Sequence, residues 1–205
     1  MLTLACLLVP ALAWAAEPVK IVALGDSLTA GLGLGNGSAF PAKLQAALAA
    51  MDIAATVANA GVSGDTASGG LERLDWSVPE GTDAVIVELG ANDALRGVDP
   101  TLTKKALDAI LTKLAARHLS VLFAGMKAPP NMGADYTKAF DAIFPALAAA
   151  HPVIFYPFFL DGVAADQKLN QADGMHPSAA GVDVIVARIL PSVVDLVARA
   201  REARK

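Results

Sequence analysis

Three side chains that together can perform acyl transfer lie in two segments of the sequence. Ser27 stands just after the apolar run 19–24. His176 lies in the segment ADGMHP at 172–177, and Asp173 precedes it by three residues. A serine hydroxyl becomes a strong nucleophile when a base removes its proton, and a carboxylate can fix the tautomer of that base and stabilise the imidazolium. The three residues are therefore candidates for nucleophile, base and orienting acid.

Each of these residues also has an ordinary structural interpretation. Asp26 and Ser27 are typical residues for capping a helix, and Asp173 can be a capping residue beside an exposed histidine. The segment around the serine also differs from the Gly-x-Ser-x-Gly elbow, because Thr29 occupies the second glycine position. The catalytic interpretation therefore depends on whether the fold brings Ser27 and His176 to the same edge.

The choice of base rests on where the three histidines fall. His118 and His151 each end a helical pattern just before an apolar run, and a helix C-terminus is a common structural position for histidine. His176 instead follows the last apolar run, and Pro177 begins the next helix. Ligands of a parallel sheet bind beyond the carboxyl ends of its strands, so His176 is the predicted base.

Apolar runs alternate with helical patterns along the chain after residue 16. Five runs predict parallel strands at 19–24, 53–58, 84–89, 119–126 and 153–156. The helical patterns lie at 38–51 with Ser38 as N-cap, 65–74 with Asp65 or Thr66 as cap, 99–117, 134–150 with an irregularity at Pro145, and 178–205 with a kink at Pro191. The strands are apolar on both sides, which indicates a sheet covered on both faces. We therefore predict a three-layer α/β/α fold with a five-stranded parallel sheet.

Two further loops at the same edge offer donors for an oxyanion. Gly64 follows the second strand and opens a helix, where a backbone N–H points outward and gains from the helix dipole. Asn92 follows the third strand and carries a side-chain amide. Taken alone, Gly64 is typical of a turn and Asn92 of an Asx-turn. Their position at the predicted edge with Ser27 and His176 favours the catalytic interpretation.

The sequence resembles the SGNH, or GDSL, hydrolase superfamily, because it contains motifs like those of the superfamily in the same order. Members of this superfamily have a flavodoxin-like α/β/α fold. The motifs are GDSLTAG from Gly25, NAGVSGDTASGGLERL from Asn59, VELGANDALRG from Val87, and PFF followed by DGMHP. The resemblance covers about residues 19–195 and is closer to the bacterial periplasmic thioesterase/lysophospholipase and arylesterase branch. Ala91 stands where relatives often have glycine.

The resemblance implies a role for each candidate residue. Ser27 would be the nucleophile, His176 the base and Asp173 the orienting acid. The N–H of Ser27, the N–H of Gly64 and the side chain of Asn92 would form the oxyanion hole. The implied activity is hydrolysis of acyl esters, including aryl esters, thioesters and lysophospholipids, through an acyl-serine intermediate, without a metal or other cofactor.

The substrate contacts expected from the sequence lie beside these residues. The loop 126–133 contains Met126, Pro129 and Pro130, which could wall an acyl groove, although the prolines also suit a rigid turn. Asp26 and Met175 are also expected to contact substrate. Carbohydrate or peptidoglycan O-deacetylation by the same site is an alternative function, and a non-catalytic binding module is another.

Composition narrows the classes of partner. The 205 residues carry a net charge of −4 and are 55% hydrophobic, which fits one globular domain and no basic surface for nucleic acid. The expected partner is a small-molecule or lipid acyl ester. Cys6 is the single cysteine and lies in the first 16 residues, so residues 17–205 contain no thiol for a disulfide or a thiolate metal site.

The first 16 residues, MLTLACLLVPALAWAA, read as a signal peptide ahead of one domain at 17–205. They contain no charge, and Ala13-Trp14-Ala15 fits the small-x-small pattern for cleavage, although no Lys or Arg follows Met1. A membrane anchor is the alternative, but the stretch is shorter than the roughly 20 apolar residues that span a bilayer. We therefore expect a periplasmic or secreted protein with no obligate membrane span.

Overall fold

The computed structural model describes residues 17–205, so the predicted signal peptide at 1–16 lies outside the described residues. Five parallel strands form one sheet in the order β2-β1-β3-β4-β5. The strands are β1 Val19–Gly25, β2 Ala55–Gly61, β3 Ala84–Glu88, β4 Ser120–Ala124 and β5 Ile154–Tyr156. The predicted five-stranded parallel sheet is confirmed, and its strand order is that of a doubly wound α/β fold.

The helices follow the strands along the chain and pack around the sheet. They are α1 Ser27–Ala30, α2 Phe40–Ala50, α3 Ala67–Glu72, α4 Leu74–Ser77, α5 Ala91–Leu95, α6 Pro100–Ala116, α7 Ala134–Asp141, α8 Ile143–Ala150 and α9 Ala179–Ala203. Within residues 17–205, none of the helices is both long and apolar enough to cross a membrane.

Exposure divides the sheet into a buried centre and two partly exposed edges. Every residue of β3 and β4 is buried, and so is every residue of β1 except Lys20. The edge strand β2 instead has several exposed residues, and β5 is half-buried throughout. The sheet is covered on both faces as predicted, but β2 and β5 are less buried than the central strands, because an edge strand has a neighbouring strand on one side only.

Proline and capping chemistry explain where the helices differ from the sequence-based expectation. Ser38 lies in a short 3₁₀ turn, and α2 begins at Phe40 without a side-chain cap. The predicted helix 134–150 is divided at Ala142, because Pro145 has no N–H to donate to the carbonyl four residues earlier. The helix α9 continues through Pro191 as one element.

Side chains also cap α3, α6 and α9, and one of these caps was expected from the sequence. Thr66 caps α3 by accepting a hydrogen bond from the N–H of Gly69, whereas the predicted helix 65–74 ends early and is followed by α4. Ser178 caps α9 in the same way by accepting from the N–H of Gly181, and Asp99 caps α6 by accepting from the N–H of Thr101. These caps satisfy N–H groups that have no partner within the helix.

Candidate active site

Ser27 lies where the buried strand β1 turns into the short helix α1. Asp26 is the N-cap of α1, and its Oδ1 accepts a hydrogen bond from Leu28 N at 2.9 Å. Gly25 is required at this turn, because a Cβ there would lie 2.1 Å from the Thr29 hydroxyl oxygen. The capping interpretation is therefore right for Asp26, while the hydroxyl of Ser27 is directed elsewhere.

The Ser27 hydroxyl meets His176 across the carboxyl edge of the sheet. The distance from Ser27 Oγ to His176 Nε2 is 2.9 Å, and the distance from His176 Nδ1 to Asp173 Oδ2 is 2.6 Å. The structure thus brings together the three residues that the sequence proposed as nucleophile, base and acid. This line of contacts can move a proton from the hydroxyl to the imidazole while the carboxylate holds the ring.

Asp173 also organises the loop that carries the histidine. Its Oδ1 accepts hydrogen bonds from the N–H groups of Met175 at 2.9 Å and His176 at 3.0 Å. These backbone donors, with the His176 ring, lower the pKa of the Asp173 carboxyl to about 2. Asp173 is therefore an anion throughout the neutral range, as a group that stabilises an imidazolium must be.

Asn92 is oriented by a carboxylate that lies beneath the site. Its Nδ2 donates to Asp26 Oδ2 at 3.0 Å. Asp26 has no exposed surface, so the expectation that Asp26 contacts substrate is wrong. Burial raises the pKa of the Asp26 carboxyl to about 6, against the hydrogen bonds from Leu28 and Asn92, which lower it.

A second buried acid, Glu88 at the end of β3, lies behind Asp26. The Thr29 hydroxyl donates to Glu88 Oε2 at 2.7 Å, while Glu88 Oε1 has no hydrogen-bond partner within the described residues. Burial and the neighbouring charge of Asp26 raise the pKa of Glu88 well above its ordinary value. Both influences disfavour the ionised form of Glu88, because its charge would be buried and would face another carboxylate.

Gly64 lies in the loop after β2, in the left-handed conformation with φ of +86°. Arg96, at the end of α5, donates from Nη2 to the Gly64 carbonyl at 2.7 Å. The short helix that carries Asn92 therefore also holds the Gly64 loop. The N–H groups of Gly64 and Ser27 have no protein acceptor within residues 17–205, so both are free to bind another group.

Arg73 is a structural residue of the site that the sequence analysis missed. It is 7% exposed, and it donates to the Gly25 carbonyl at 2.8 Å and to the Ala60 carbonyl at 2.8 Å. Its Nε also contacts Asp65 Oδ2 at 2.5 Å. Arg73 thus joins the ends of β1 and β2. The local segment GGLERL, in which Arg73 follows Glu72, carried no signal for this role.

Asp93 was also missed, and it positions the helix that carries Asn92. Asp93 is 1% exposed; its Oδ2 accepts from Ala67 N at 2.8 Å and its Oδ1 from the Thr103 hydroxyl at 3.0 Å. Burial raises the pKa of its carboxyl. These contacts tie α5 to the start of α3 and to α6.

The remaining expected substrate contacts have different exposures. Met126 is 3% exposed, so it forms part of the core and the expectation that it contacts substrate is wrong in this structure. Pro129 is half-buried and Pro130 is exposed, while Met175, beside His176, is 51% exposed. These three residues remain available to a substrate.

The other two histidines lie away from the Ser27 edge, as expected. His118 follows α6 in the left-handed conformation, before β4. His151 follows α8, before β5, and its Nε2 lies 2.7 Å from Asp108 Oδ1. Both therefore lie at the amino ends of strands.

The protein therefore has a doubly wound α/β/α fold with Ser27, His176 and Asp173 in line at the carboxyl edge of its sheet. This arrangement is that of a serine hydrolase. Comparison with known proteins gives the family: the GDSL-like Lipase/Acylhydrolase family matches residues 23–184. The chain belongs to this family and is a serine ester hydrolase of the GDSL type, as its motifs predicted.

The similar proteins cover most of the chain. Esterase TesA of Pseudomonas aeruginosa is 38% identical over 192 residues, which are 93% of this chain and 96% of the relative. Thioesterase 1/protease 1/lysophospholipase L1 of Escherichia coli is 38% identical over 165 residues, 80% of this chain and 78% of the relative. The crystal structure of AlinE4, an SGNH-hydrolase family esterase, is 43% identical, covers 89% of this chain and 98% of its own, and has a TM-score of 0.75.

Proposed function

We propose that this protein hydrolyses acyl esters with Ser27 as nucleophile, His176 as general base and acid, and Asp173 as the orienting carboxylate. The observation that carries the proposal is the line of contacts from Ser27 Oγ to His176 Nε2 at 2.9 Å and from His176 Nδ1 to Asp173 Oδ2 at 2.6 Å. A nucleophile, its base and the group that orients the base need this order and these distances.

The proposed reaction has two acyl-transfer steps. Ser27 Oγ attacks the acyl carbon while His176 Nε2 accepts the hydroxyl proton, and the tetrahedral intermediate carries a negative oxygen. His176 then donates that proton to the departing alcohol or thiol, which leaves an acyl-serine ester. A water molecule attacks this ester, gives its proton to His176 and releases the acid, and the proton returns to Ser27.

The negative oxygen is proposed to be bound by the N–H groups of Ser27 and Gly64 and by the Asn92 side chain. The two backbone N–H groups lack protein acceptors within the described residues. Asn92 Nδ2 gives one hydrogen to Asp26, which leaves its second hydrogen free. Removing one such donor typically raises the barrier by roughly 3–4 kcal/mol.

The proposed substrates are acyl esters with an apolar acyl part, including aryl esters, thioesters and lysophospholipids. Three large apolar side chains are exposed within five residues of the proposed catalytic groups: Leu32, Leu95 and Met175. A relative is named as both a thioesterase and a lysophospholipase. Contact of an acyl chain with such side chains would favour that chain over a bare acetyl group, because burial of each methylene contributes about 0.8 kcal/mol.

The location is proposed to be the periplasm or the exterior of the cell. The support is the uncharged segment 1–16 with its Ala13-Trp14-Ala15 pattern. Expression of the full chain in a bacterium tests this proposal: osmotic-shock fluid should contain a protein that begins after residue 15 or 16. Retention of the full-length chain in the cytoplasm would contradict it.

The activity is tested with nitrophenyl esters from acetyl to palmitoyl. We expect kcat/KM to rise from acetyl to a longer acyl chain, and we expect Ser27→Ala and His176→Ala to lose at least three orders of magnitude. His151→Ala is the matched control, because His151 also contacts an aspartate but lies at the opposite edge. Activity in Ser27→Ala equal to wild type would refute the proposal, and cleavage of acetyl esters alone would favour an O-deacetylase.

A further inference from the structure

A glutamine side chain joins the loop of His176 to the loop of Ser27. Gln171 Nε2 donates to the Leu32 carbonyl at 2.8 Å, across 139 residues of sequence, and to the Pro177 carbonyl at 3.0 Å. The backbone N–H of Gln171 donates to the His176 carbonyl at 2.7 Å. Leu32 in turn donates its N–H to the Ser27 carbonyl at 3.1 Å.

These contacts close a ring through the reacting groups. From Ser27 the ring passes to Leu32, to Gln171, to His176, and back to Ser27 through the 2.9 Å contact between Nε2 and Oγ. Within residues 17–205, the Gln171 amide makes the only hydrogen bond between these two loops besides the Ser27–His176 contact itself. The distance between the Ser27 hydroxyl and the His176 imidazole is therefore constrained both by their direct contact and by the path through Leu32 and Gln171.

The orientation of the Gln171 amide follows from its partners. Both partners of the amide nitrogen are carbonyl oxygens, so the reverse orientation would place oxygen against oxygen. The amide oxygen, Oε1, faces Gly33, where a Cβ would lie 2.2 Å from it. Gly33 also has φ of +78°, so the loop after Ser27 is shaped to accept this glutamine.

Among the described residues, none of the other hydrogen bonds of segment 170–177 reaches the loop 27–37 that follows Ser27, apart from the Ser27–His176 contact, and Asn170 bonds back to the carbonyls of Val163 and Asp166. Asp173 accepts the N–H groups of Met175 and His176, and Asn170 pairs with Pro177 at the base of the loop. These contacts hold the shape of the loop without bonding it to the residues after Ser27. Gln171 supplies that bond, through the Leu32 carbonyl.

We propose that Gln171 is a positioning residue that holds His176 at hydrogen-bond distance from Ser27; this inference rests on the proposed function. A displacement of about 1 Å between reacting groups can lower a rate by roughly 100-fold. Gln171 acts through His176 and the Leu32 carbonyl, so it should affect the reaction of bound substrate more than the binding of substrate.

The test replaces Gln171 with methionine, which has a similar length and no hydrogen-bond donor. We expect kcat on a nitrophenyl ester to fall by about 10- to 100-fold, with KM changed by less than about threefold. Inactivation by a fluorophosphonate, in which Ser27 Oγ displaces fluoride from phosphorus while His176 takes the proton, should slow by a similar factor. A merely structural role would lower the melting temperature and leave both rates unchanged for the folded enzyme.

Gln45→Met is the matched control. Gln45 also bonds the backbone, since its Oε1 accepts from Val57 N at 2.8 Å, but it lies at the outer edge of β2. We expect this variant to keep the wild-type kcat and inactivation rate, even if its melting temperature falls.

Gly33→Ala displaces the same amide from the other side and keeps the proposal testable if Gln171→Met folds poorly. We expect Gly33→Ala to reproduce the loss of kcat. Its effect on kcat should be much smaller in a Gln171→Ala background than in wild type, with Gln171→Ala measured alone as the reference, because both changes disrupt one contact. Wild-type kcat and inactivation rate in folded Gln171→Met, with Ser27→Ala inactive, would overturn the positioning role alone. Full activity in Ser27→Ala would instead overturn the proposed function.

Discussion

Replacing Asp26 with asparagine should lower activity without lowering stability. The asparagine keeps the shape of Asp26 and has one oxygen for the bond from Leu28 N, but an amide nitrogen then faces Asn92 Nδ2. Two donors cannot bond each other, so Asn92 loses the acceptor that orients it. The proposed oxyanion donor therefore becomes free to rotate while the helix cap of α1 is kept.

The magnitude of the loss follows from two limits. A hydrogen bond to a charged acceptor contributes roughly 1.5–3 kcal/mol, and the complete loss of an oxyanion donor costs roughly 3–4 kcal/mol. Because about 1.4 kcal/mol corresponds to a factor of ten, kcat should fall by roughly tenfold to several hundredfold. Asn92→Ala should lower kcat at least as much as Asp26→Asn does. Adding Asp26→Asn to Asn92→Ala should lower kcat little further.

Stability should respond in the opposite sense, because Asp26 is a buried carboxyl whose pKa rises from 3.8 to about 6 on folding. The folded state then binds more protons than the unfolded state between about pH 4 and pH 6, so stability is lost as the pH rises through this window. A shift of this size corresponds to on the order of 3 kcal/mol at neutral pH. The Asp26→Asn variant has no carboxyl to ionise at this position, so it would carry no such cost.

The measurements are kcat on a nitrophenyl ester at pH 7 and urea unfolding of both proteins from pH 4 to 7. The unfolding free energy of Asp26→Asn, relative to wild type, should increase with pH across this range. Asp99→Asn is the matched control, because Asp99 also caps a helix through an N–H two residues later, but its side chain is exposed and, within residues 17–205, bonds only Thr101. Wild-type kcat in Asp26→Asn, or a relative stability that does not change with pH, would refute the reasoning.

Three further predictions concern the residues around Ser27. Asp173→Asn should reduce kcat by about 10³–10⁴-fold with the fold intact, since the amide favours the wrong histidine tautomer; near-UV circular dichroism checks the fold, and a loss below tenfold would contradict the role. Arg73→Met should lower the unfolding free energy by roughly 3–5 kcal/mol in urea titration, because the partner charge of Asp65 loses its cation; a loss under about 1 kcal/mol would show that water replaces it. Gly25→Ala should yield no soluble folded protein, because its Cβ would meet Thr29 Oγ1 at 2.1 Å; a wild-type melting temperature would disprove this.

The features that could be predicted from sequence are those encoded over short distances. Each strand is a local apolar run, and each motif follows the strand that presents it. Asp173 and His176 are three residues apart, so their contact needs only one loop. Ser27 and His176 are 149 residues apart, and they could be paired because parallel strands deliver all their carboxyl ends to one edge.

The features that were missed depend on long-range packing of polar groups. Arg73 bonds the carbonyl of Gly25 across 48 residues, and no local pattern reveals which distant carbonyl an arginine will reach. The burial of Asp26 could not be predicted from local sequence either. The expected substrate contact of Asp26 is replaced in the structure by hydrogen bonds that its buried carboxyl accepts from Leu28 and Asn92.

The sequence by itself determined the alternation of strands and helices, the edge at which the chemistry lies, and the residue types available there, because periodicity and motif order are local properties of the chain. Only the tertiary structure decided how those residues are held. It buried Asp26 and Glu88 together, set Arg96 on the Gly64 loop and closed the ring through Gln171. These contacts depend on the three-dimensional distance between side chains and backbone carbonyls, which is established only when the sheet and its loops are packed together.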